Sequence, residues 1–99
     1  MIQGTTPKHI FTIPFDTESI DKLSIAYGQN DAVVLKKTEE DCVIEGHKIT
    51  VKLTQEDTLK LKENVTVKIQ LRVLLKSGDA LASDIKYKPA REVLDKEVL

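Results

Sequence analysis

One stretch in the second half of the chain constrains the fold more than any other. In residues 65–76, VTVKIQLRVLLK, every odd position is apolar and every even position except Leu74 is polar. Successive side chains of a β-strand point to opposite faces, so this segment has one face for a core and one face for solvent. A helix would scatter the same apolar side chains around its circumference. The pattern therefore predicts a long strand whose inward row forms the centre of a hydrophobic core.

The composition is typical of one globular domain. The chain has 99 residues, of which 40% are hydrophobic and 31% charged, and its formal net charge is −1. Such a charge creates no overall field towards nucleic acid or an anionic membrane. The chain does not open with a charged lead followed by a long apolar run, and no apolar run reaches the ~20 residues of a membrane span. We therefore expect a protein made in the cytoplasm that binds neither nucleic acid nor membrane.

Shorter alternating segments separated by turn residues predict six further strands. Turn-forming residues cluster at 28–31, 45–47 and 77–79, between the apolar runs. Pro14 cannot donate a hydrogen bond to a neighbouring strand, so the first strand is expected either to lie at a sheet edge or to end at this residue. The seven predicted strands are residues 8–15, 23–27, 32–37, 42–44, 48–53, 65–76 and 81–87.

A short helical segment precedes the long strand. Thr54 followed by Asp57 suits a helix N-cap with an acid in the first turn, which predicts one or two helical turns at 54–60. Residues 53–57 resemble the crossover between the sheets of immunoglobulin-like domains, although the Tyr and Cys that follow in true immunoglobulin domains are absent. The lone Cys42 also excludes an intramolecular disulfide. The prediction is an all-β, immunoglobulin-like sandwich of about seven antiparallel strands, with one short helical crossover and no disulfide.

The chain divides into a β-sandwich domain, 1–89, and a short C-terminal tail, 90–99. In the tail the apolar residues Val93, Leu94 and Val98 fall at helical spacing, which indicates a short helix. Ten residues are too few for a stable helix in isolation. The tail is therefore expected to dock on this domain or on a partner, or else to fray.

The sequence has no residue set with the spacing of a catalytic or metal-binding site. His9 and His47 lie at strand ends without further metal ligands at a fixed spacing. Cys42 has the burial tendency of a core residue, and the acidic run 39–41 lacks the glycine of a calcium loop. We therefore expect no enzymatic activity, no cofactor and no metal.

Five basic residues on two of the predicted strands could form a phosphate-binding stripe on the outer face of one sheet. An outer sheet face that gathers them lacks the interleaved aromatic residues that stack on bases, so a solvated face is the favoured interpretation. These residues are Lys48, Lys52, Lys68, Arg72 and Lys76.

Both ends of the chain are candidate contact sites. Residues 4–7 are polar, uncharged and held extended by Pro7. The C-terminal tail carries apolar residues where chains usually fray unless they are tied down, which indicates docking. Leu74 interrupts the polar face of the long strand. The candidate interaction residues are Thr5, Thr6, Pro7, Leu74, Val93, Leu94, Val98 and Leu99.

Six strings spread over nearly the whole chain carry a family resemblance. They are MIQGTTP at 1–7, FTIPFD at 11–16, VLKKTEEDC at 34–42, LTQEDTL at 53–59, ALAS at 80–83 and VLDKEVL at 93–99. These strings resemble a family of small proteins encoded among the tail genes of phages and prophages of Gram-positive bacteria. That family is similar to the N-terminal β-sandwich domain of phage baseplate upper proteins.

The resemblance implies a non-enzymatic structural or interaction role in a phage tail or baseplate, through strand edges and chain ends. The implied partners are tail and baseplate proteins, with a homo-oligomer as a further arrangement. The implied location is the virion, after synthesis in the bacterial cytoplasm. The alternative is an adhesin-like module that binds a host cell-surface carbohydrate or protein, although two Phe, two Tyr and no Trp leave few aromatic residues for a sugar site.

Overall fold

The computed structural model describes residues 1–99 and arranges them in two antiparallel β-sheets. Three short helices connect the strands: two 3-10 turns, Thr17–Ser19 and Glu39–Asp41, and the helix α1, Gln55–Leu59. None of these helices has the length and apolar character that crossing a membrane requires. The strands are β1 (Lys8–Thr12), β2 (Ile20–Gln29), β3 (Ala32–Thr38), β4 (Cys42–Glu45), β5 (Lys48–Lys52), β6 (Val67–Leu75), β7 (Ala80–Ala82) and β8 (Lys86–Lys88).

The strand order is that of an immunoglobulin-like sandwich. The smaller sheet has the order β1-β5-β4, and the larger sheet has the order β3-β2-β6-β7, with β8 also paired to β6. These orders correspond to the B-E-D and C′-C-F-G sheets of immunoglobulin domains. The helix α1 makes the crossover that leads into β6, where the sequence predicted it. The predicted all-β sandwich is confirmed. Cys42 is a free thiol, so the fold contains no disulfide.

Strand β6 is the centre of the core. It pairs with β2 along one side and with β7 and β8 along the other. Its inward side chains are at most 6% exposed and pack against the inward row of β5, including Ile49 and Val51. Each such side chain contributes about 1.5–3 kcal/mol when it is fully buried. The inward residues of β6 are Val67, Ile69, Leu71 and Val73.

The seventh predicted strand is two short strands separated by a bulge. Val73 pairs with Leu81 in β7, whereas Ile69 pairs with Lys86 in β8, so five steps on the outer strand span four steps on β6. The extra residue shifts by one position the alternation of inward and outward side chains. Lys86 therefore lies on the face of the sheet that points into the sandwich. The prediction of one strand over 81–87 is therefore wrong, and Ser83, Ile85 and Tyr87 do not share the single face that such a strand would give them.

One carboxylate fixes the crossover helix α1 to the edge strand β3. The backbone N of Thr54 donates to Asp57 Oδ2 at 2.9 Å, and Asp57 N donates to Thr54 Oγ1 at 3.1 Å, which forms a capping box. Lys37 Nζ on β3 lies 2.8 Å from the same Oδ2. Burial raises the pKa of Asp57, but the bonds from Lys37 and Thr54 outweigh it and hold that pKa below its usual value. The ion pair thus attaches the crossover between the two sheets to the edge strand β3 of the larger sheet.

The C-terminal tail is not helical, contrary to the spacing of its apolar residues. Arg91 N donates to Met1 O at 2.8 Å, and Gln3 N donates to Arg91 O at 3.0 Å. These backbone groups bond to the N-terminal segment and so cannot make the i to i−4 bonds of a helix. Pairing with a neighbouring segment has therefore overridden the helical periodicity of the tail.

The central position of β6 predicts an unequal effect of substitutions on its two faces. Ile69→Ala should lower the free energy of unfolding by about 2–5 kcal/mol, because it opens a cavity in the core. Lys68→Ala, at the neighbouring exposed position, is the matched control and should change it by less than about 0.5 kcal/mol. Urea unfolding followed by circular dichroism measures both. Similar losses in the two variants would contradict the inward and outward assignment of β6.

Candidate interaction surfaces

The two ends of the chain lie side by side next to α1. Ile2 and Arg91 form an isolated parallel bridge, and the Met1 amino group donates to Pro89 O. Thr58 Oγ1 of α1 donates to Thr5 O at 2.8 Å. The N-terminal segment, the start of the C-terminal tail and α1 therefore form one layer, which we call the terminal layer.

Gln3 joins the parts of the terminal layer. Its side chain is only 4% exposed. Its Nε2 donates to Leu61 O at 2.7 Å, and its Oε1 accepts from Val93 N at 3.3 Å. Both ends of the amide thus bond to backbone from two other segments. The sequence analysis missed Gln3, because nothing in the pattern around it distinguishes a buried glutamine from an exposed one.

The far end of the tail reaches α1 through a second glutamine. Leu99 N donates to Gln55 Oε1 at 2.7 Å, and Gln55 Nε2 donates to Leu99 O at 3.4 Å. Thr6 and Val98 both line an opening of about 450 Å³ beside these groups. Between its two attached ends the tail is exposed, and Leu94 is 97% accessible.

The structure brings most of the predicted contact residues together. Thr5, Thr6 and Pro7 precede β1 in the terminal layer, and Pro7 O accepts from Leu53 N at 3.0 Å. Val93 lies in the same layer, where its Cγ1 is 3.7 Å from the position that a Cβ on Gly4 would take. Leu74 is separate from this group. It lies on the outer face of the larger sheet, opposite Lys22 on β2 and Ala80 on β7.

A second surface is the unpaired edge of β1. This strand ends the smaller sheet, as Pro14 predicted. The bonds from Leu53 N to Pro7 O and from Ile13 N to His47 O show that the odd residues of β1 bond to β5. In an antiparallel pair the alternate residues direct their backbone groups to the other side. The unpaired N–H and C=O groups therefore belong to Lys8, Ile10 and Thr12.

An apolar opening lies between the two sheets beside this edge. Its volume is about 340 Å³, and it lies between the end of β1 and the strands β6 and β7. The strand β7 is only three residues long, and all three are exposed, so it leaves the space between the sheets open. We call the opening and the β1 edge together the lateral groove. Its apolar end is lined by Ile13, Phe15, Leu71, Val73 and Leu81.

The other end of the lateral groove is basic. The bulge after β7 directs Lys86 towards β1, where its Nζ lies 4.8 Å from the centre of the Phe11 ring. Lys88 pairs with Val67 and therefore has the same direction two residues further on. The three strands around this edge, β1, β5 and β8, contain no acidic residue. Their lysines are Lys8, Lys48, Lys52, Lys86 and Lys88.

His9 is uncharged at the basic end of the groove. Its Nδ1 lies 2.7 Å from the hydroxyl of Tyr27, which is fully buried. Burial raises the pKa of Tyr27, so the phenol keeps its proton. Burial, and next the charges of Lys88 and Lys86, lower the pKa of His9. The ring is therefore neutral at neutral pH, and its tautomer sets the direction of the hydrogen bond with Tyr27.

The remaining candidate residues are dispersed. Lys68 and Arg72 lie on the outer face of the larger sheet, whereas Lys48 and Lys52 lie on that of the smaller sheet, so the basic residues do not form one stripe. Cys42 is partly buried, its Sγ donates to Thr38 O at 3.3 Å, and burial raises its pKa. The structure contains no group of three or more His, Cys, Asp or Glu side chains placed to hold a metal ion.

Comparisons with protein-family models, with curated proteins and with solved structures give no match for this chain. The lateral groove and the terminal layer are therefore interpreted from their own geometry. Both surfaces combine backbone groups at a strand edge or a chain end with exposed side chains next to them.

Removing the amide of Gln3 should release the tail. Gln3→Ala leaves the carbonyl of Leu61 and the N–H of Val93 without their partner, which costs about 1–3 kcal/mol for each buried group. Hydrogen–deuterium exchange should become faster at Val93 and Arg91. Thr6→Ala, at an exposed position of the same segment, is the control. Unchanged exchange at Val93 in the Gln3 variant would show that the amide does not hold the tail.

Stability should fall as the pH drops below the usual His9 pKa of 6.5. The folded state lowers the pKa of His9. Below pH 6.5 His9 is therefore protonated in the unfolded chain while it is still neutral in the folded chain, which favours unfolding. The contribution of neutral His9 to the free energy of unfolding is therefore complete above pH 6.5 and is lost as the pH falls towards the lower pKa of the folded state. Urea unfolding from pH ~8 to pH ~5 measures the slope. His9→Gln, which cannot titrate, should have a flatter profile, and equal slopes in the two proteins would refute this origin.

Proposed function

We propose that this chain is a non-enzymatic structural or interaction module of a phage or prophage tail or baseplate. It binds protein partners through its strand edges and chain ends. One support is the resemblance of the six strings, which extend from residues 1–7 to residues 93–99, to small proteins of phage tail gene clusters. In this proposal the chain is made in the bacterial cytoplasm and becomes part of the virion.

The observation that carries the proposal is the exposed pairing capacity of the sandwich. The β1 edge leaves three residues with unpaired backbone groups, and unpaired edges are sites where other chains add strands. In the N-terminal segment Ile2 is 48% exposed, and in the C-terminal tail Leu94 and Val98 are 97% and 50% exposed. Apolar side chains exposed on segments that are attached to the fold favour burial against another protein.

The fold also suits a structural component, which fixes the positions of its neighbours in an assembly and does not catalyse a reaction. The terminal layer attaches both chain ends to the sandwich, and the Lys37–Asp57 pair attaches the crossover to the edge strand β3. The β1 edge, the N-terminal segment and the start of the tail at Arg91 are therefore presented in fixed positions relative to one another. An assembly built from repeated contacts needs this property, because each contact must set the geometry of the next.

One observation favours the adhesin-like alternative. Tyr87 is 63% exposed, and it lies beside Lys68 on the outer face of the larger sheet. An exposed aromatic ring next to a cation is a feature of some polar ligand sites. A glycan array probed with the purified chain tests this alternative. Binding that is lost in Tyr87→Ala would support the adhesin, and an array without hits would remove the argument for it.

The tail-module proposal predicts that the chain is present in assembled particles. Particles purified by density gradient from a strain that carries the gene should contain the polypeptide, detected by mass spectrometry together with the tail proteins. Deletion of the gene should give particles with incomplete tails in electron micrographs, and a plasmid copy should restore them. Absence of the polypeptide from particles, with normal tails after deletion, would overturn the proposal.

A further inference from the structure

We infer that the lateral groove binds the C-terminal tail of a second copy of this chain as an added β-strand. This inference names the partner for the assembly role proposed above and rests on it. It concerns two surfaces of the same chain, the β1 edge and residues 92–99, and joins them between neighbouring copies.

The groove sets the requirements for its occupant. Lys8, Ile10 and Thr12 offer N–H and C=O groups that only another extended segment can pair in a regular way. In such a segment every second side chain faces the space between the two sheets. That space is apolar beside Ile13 and basic beside Lys86 and Lys88. The occupant therefore needs an apolar residue near one end of the strand, followed by acids at alternate positions.

The C-terminal tail of this chain has that pattern. Along one face of an extended tail lie Val93, Asp95 and Glu97, an apolar residue followed by two acids at alternate positions. Lys86 and Lys88 have the same spacing of two residues on β8. Opposite charges at matched spacing that face each other across the gap between the two sheets favour this register of the added strand.

The order of the two patterns determines the direction of the added strand. The apolar end of the groove is at Ile13, the last residue that bonds to β5, and the basic end is at His9. Antiparallel pairing with Val93 opposite Ile13 places Asp95 opposite Phe11, over which Lys86 lies, and Glu97 opposite His9. A parallel strand over the same edge would instead place Val93 opposite His9 at the basic end and Glu97 opposite Ile13 at the apolar end.

The direction also shows that the tail comes from another copy. Arg91 is bonded to Met1 and Gln3, which precede β1, so the tail of the same chain begins at the Lys8 end of that strand. An antiparallel strand must begin at the opposite end, beside Ile13. The contact therefore joins the end of one copy to the edge of the next, and such head-to-tail contacts continue into rings or filaments.

The tail is available for this exchange. Within its own chain, backbone hydrogen bonds beyond Arg91 are limited to Val93 N with Gln3, the local bond from Glu97 N to Asp95, and Leu99 with Gln55. Leu94 is 97% exposed in this arrangement. Residues 92–99, when fully extended, span at most about 26–29 Å, which exceeds the length of the five-residue edge they would cover.

Charge reversal on each surface provides the test. The edge variant carries Lys86→Glu and Lys88→Glu, and the tail variant carries Asp95→Lys and Glu97→Lys. The wild-type chain should increase in mass with concentration in sedimentation and light-scattering measurements, whereas each variant alone should remain monomeric. An equimolar mixture of the two variants should regain the mass of the wild type, because each edge then meets a tail of opposite charge.

A matched control changes the same amount of charge elsewhere. Lys68→Glu with Arg72→Glu lies on the outer face of the larger sheet and should associate as the wild type does. Urea unfolding of every variant shows that the monomers are folded. Persistent association of the edge variant or the tail variant would exclude this groove, and a mixture that stays monomeric would exclude the pairing of tail with edge.

A cysteine pair tests the register directly. In the antiparallel alignment Lys96 faces Ile10, so Ile10→Cys in one copy and Lys96→Cys in another, both with Cys42→Ser, should form a disulfide-linked dimer on mild oxidation. Ile10→Cys mixed with Glu92→Cys is the control and should not crosslink. A wild-type chain that is monomeric at all concentrations overturns the inference, while the composition of purified particles decides separately on the tail-module role.

Discussion

The whole structure depends on the burial of one row of side chains on β6. Its inward residues lie between the β2 and β7–β8 sides of the larger sheet and face the smaller sheet. A shift of one residue in β6 would turn this row to solvent, so burial sets the register of three neighbouring strands together. Pairing with β2 positions Tyr27, and pairing with β8 positions Lys86. The groove at the side of the sandwich is thus a consequence of how the core is packed.

The lateral groove arises from two departures from regular pairing. The strand β1 ends the smaller sheet without a further neighbour, and the bulge after β7 interrupts the opposite strand. Without the bulge, the alternation of β7 would have directed Ile85 and Tyr87 inwards, and the space between the sheets would be apolar throughout. With it, Lys86 and Lys88 replace them. A single extra residue therefore changes a core edge into a surface with an apolar end and a basic end.

Polar side chains that bond to backbone connect the loops to this core. Gln29 is 5% exposed, donates through Nε2 to Lys62 O at 2.8 Å and to Val65 O at 3.0 Å, and accepts from Lys62 N at 2.8 Å. Gln3 and Gln55 act in the same way on the tail. None of the three stands out in the sequence, because distant segments supply the hydrogen-bond partners of each glutamine. The capping role of Thr54 and Asp57 was predictable, because both groups are local.

Local periodicity in the sequence determined the strands, the crossover and the inward row of β6, since alternation and turn chemistry act over a few residues. It also indicated the edge position of β1 through Pro14 and the pairing of Thr54 with Asp57. Only the tertiary structure decided the bulge between β7 and β8, the course of the C-terminal tail and the site formed by the β1 edge with Lys86. These features depend on which segments meet across the fold. The helical spacing of the tail was overridden for that reason, because Met1 and Gln3 offered Arg91 backbone partners that no local pattern reveals.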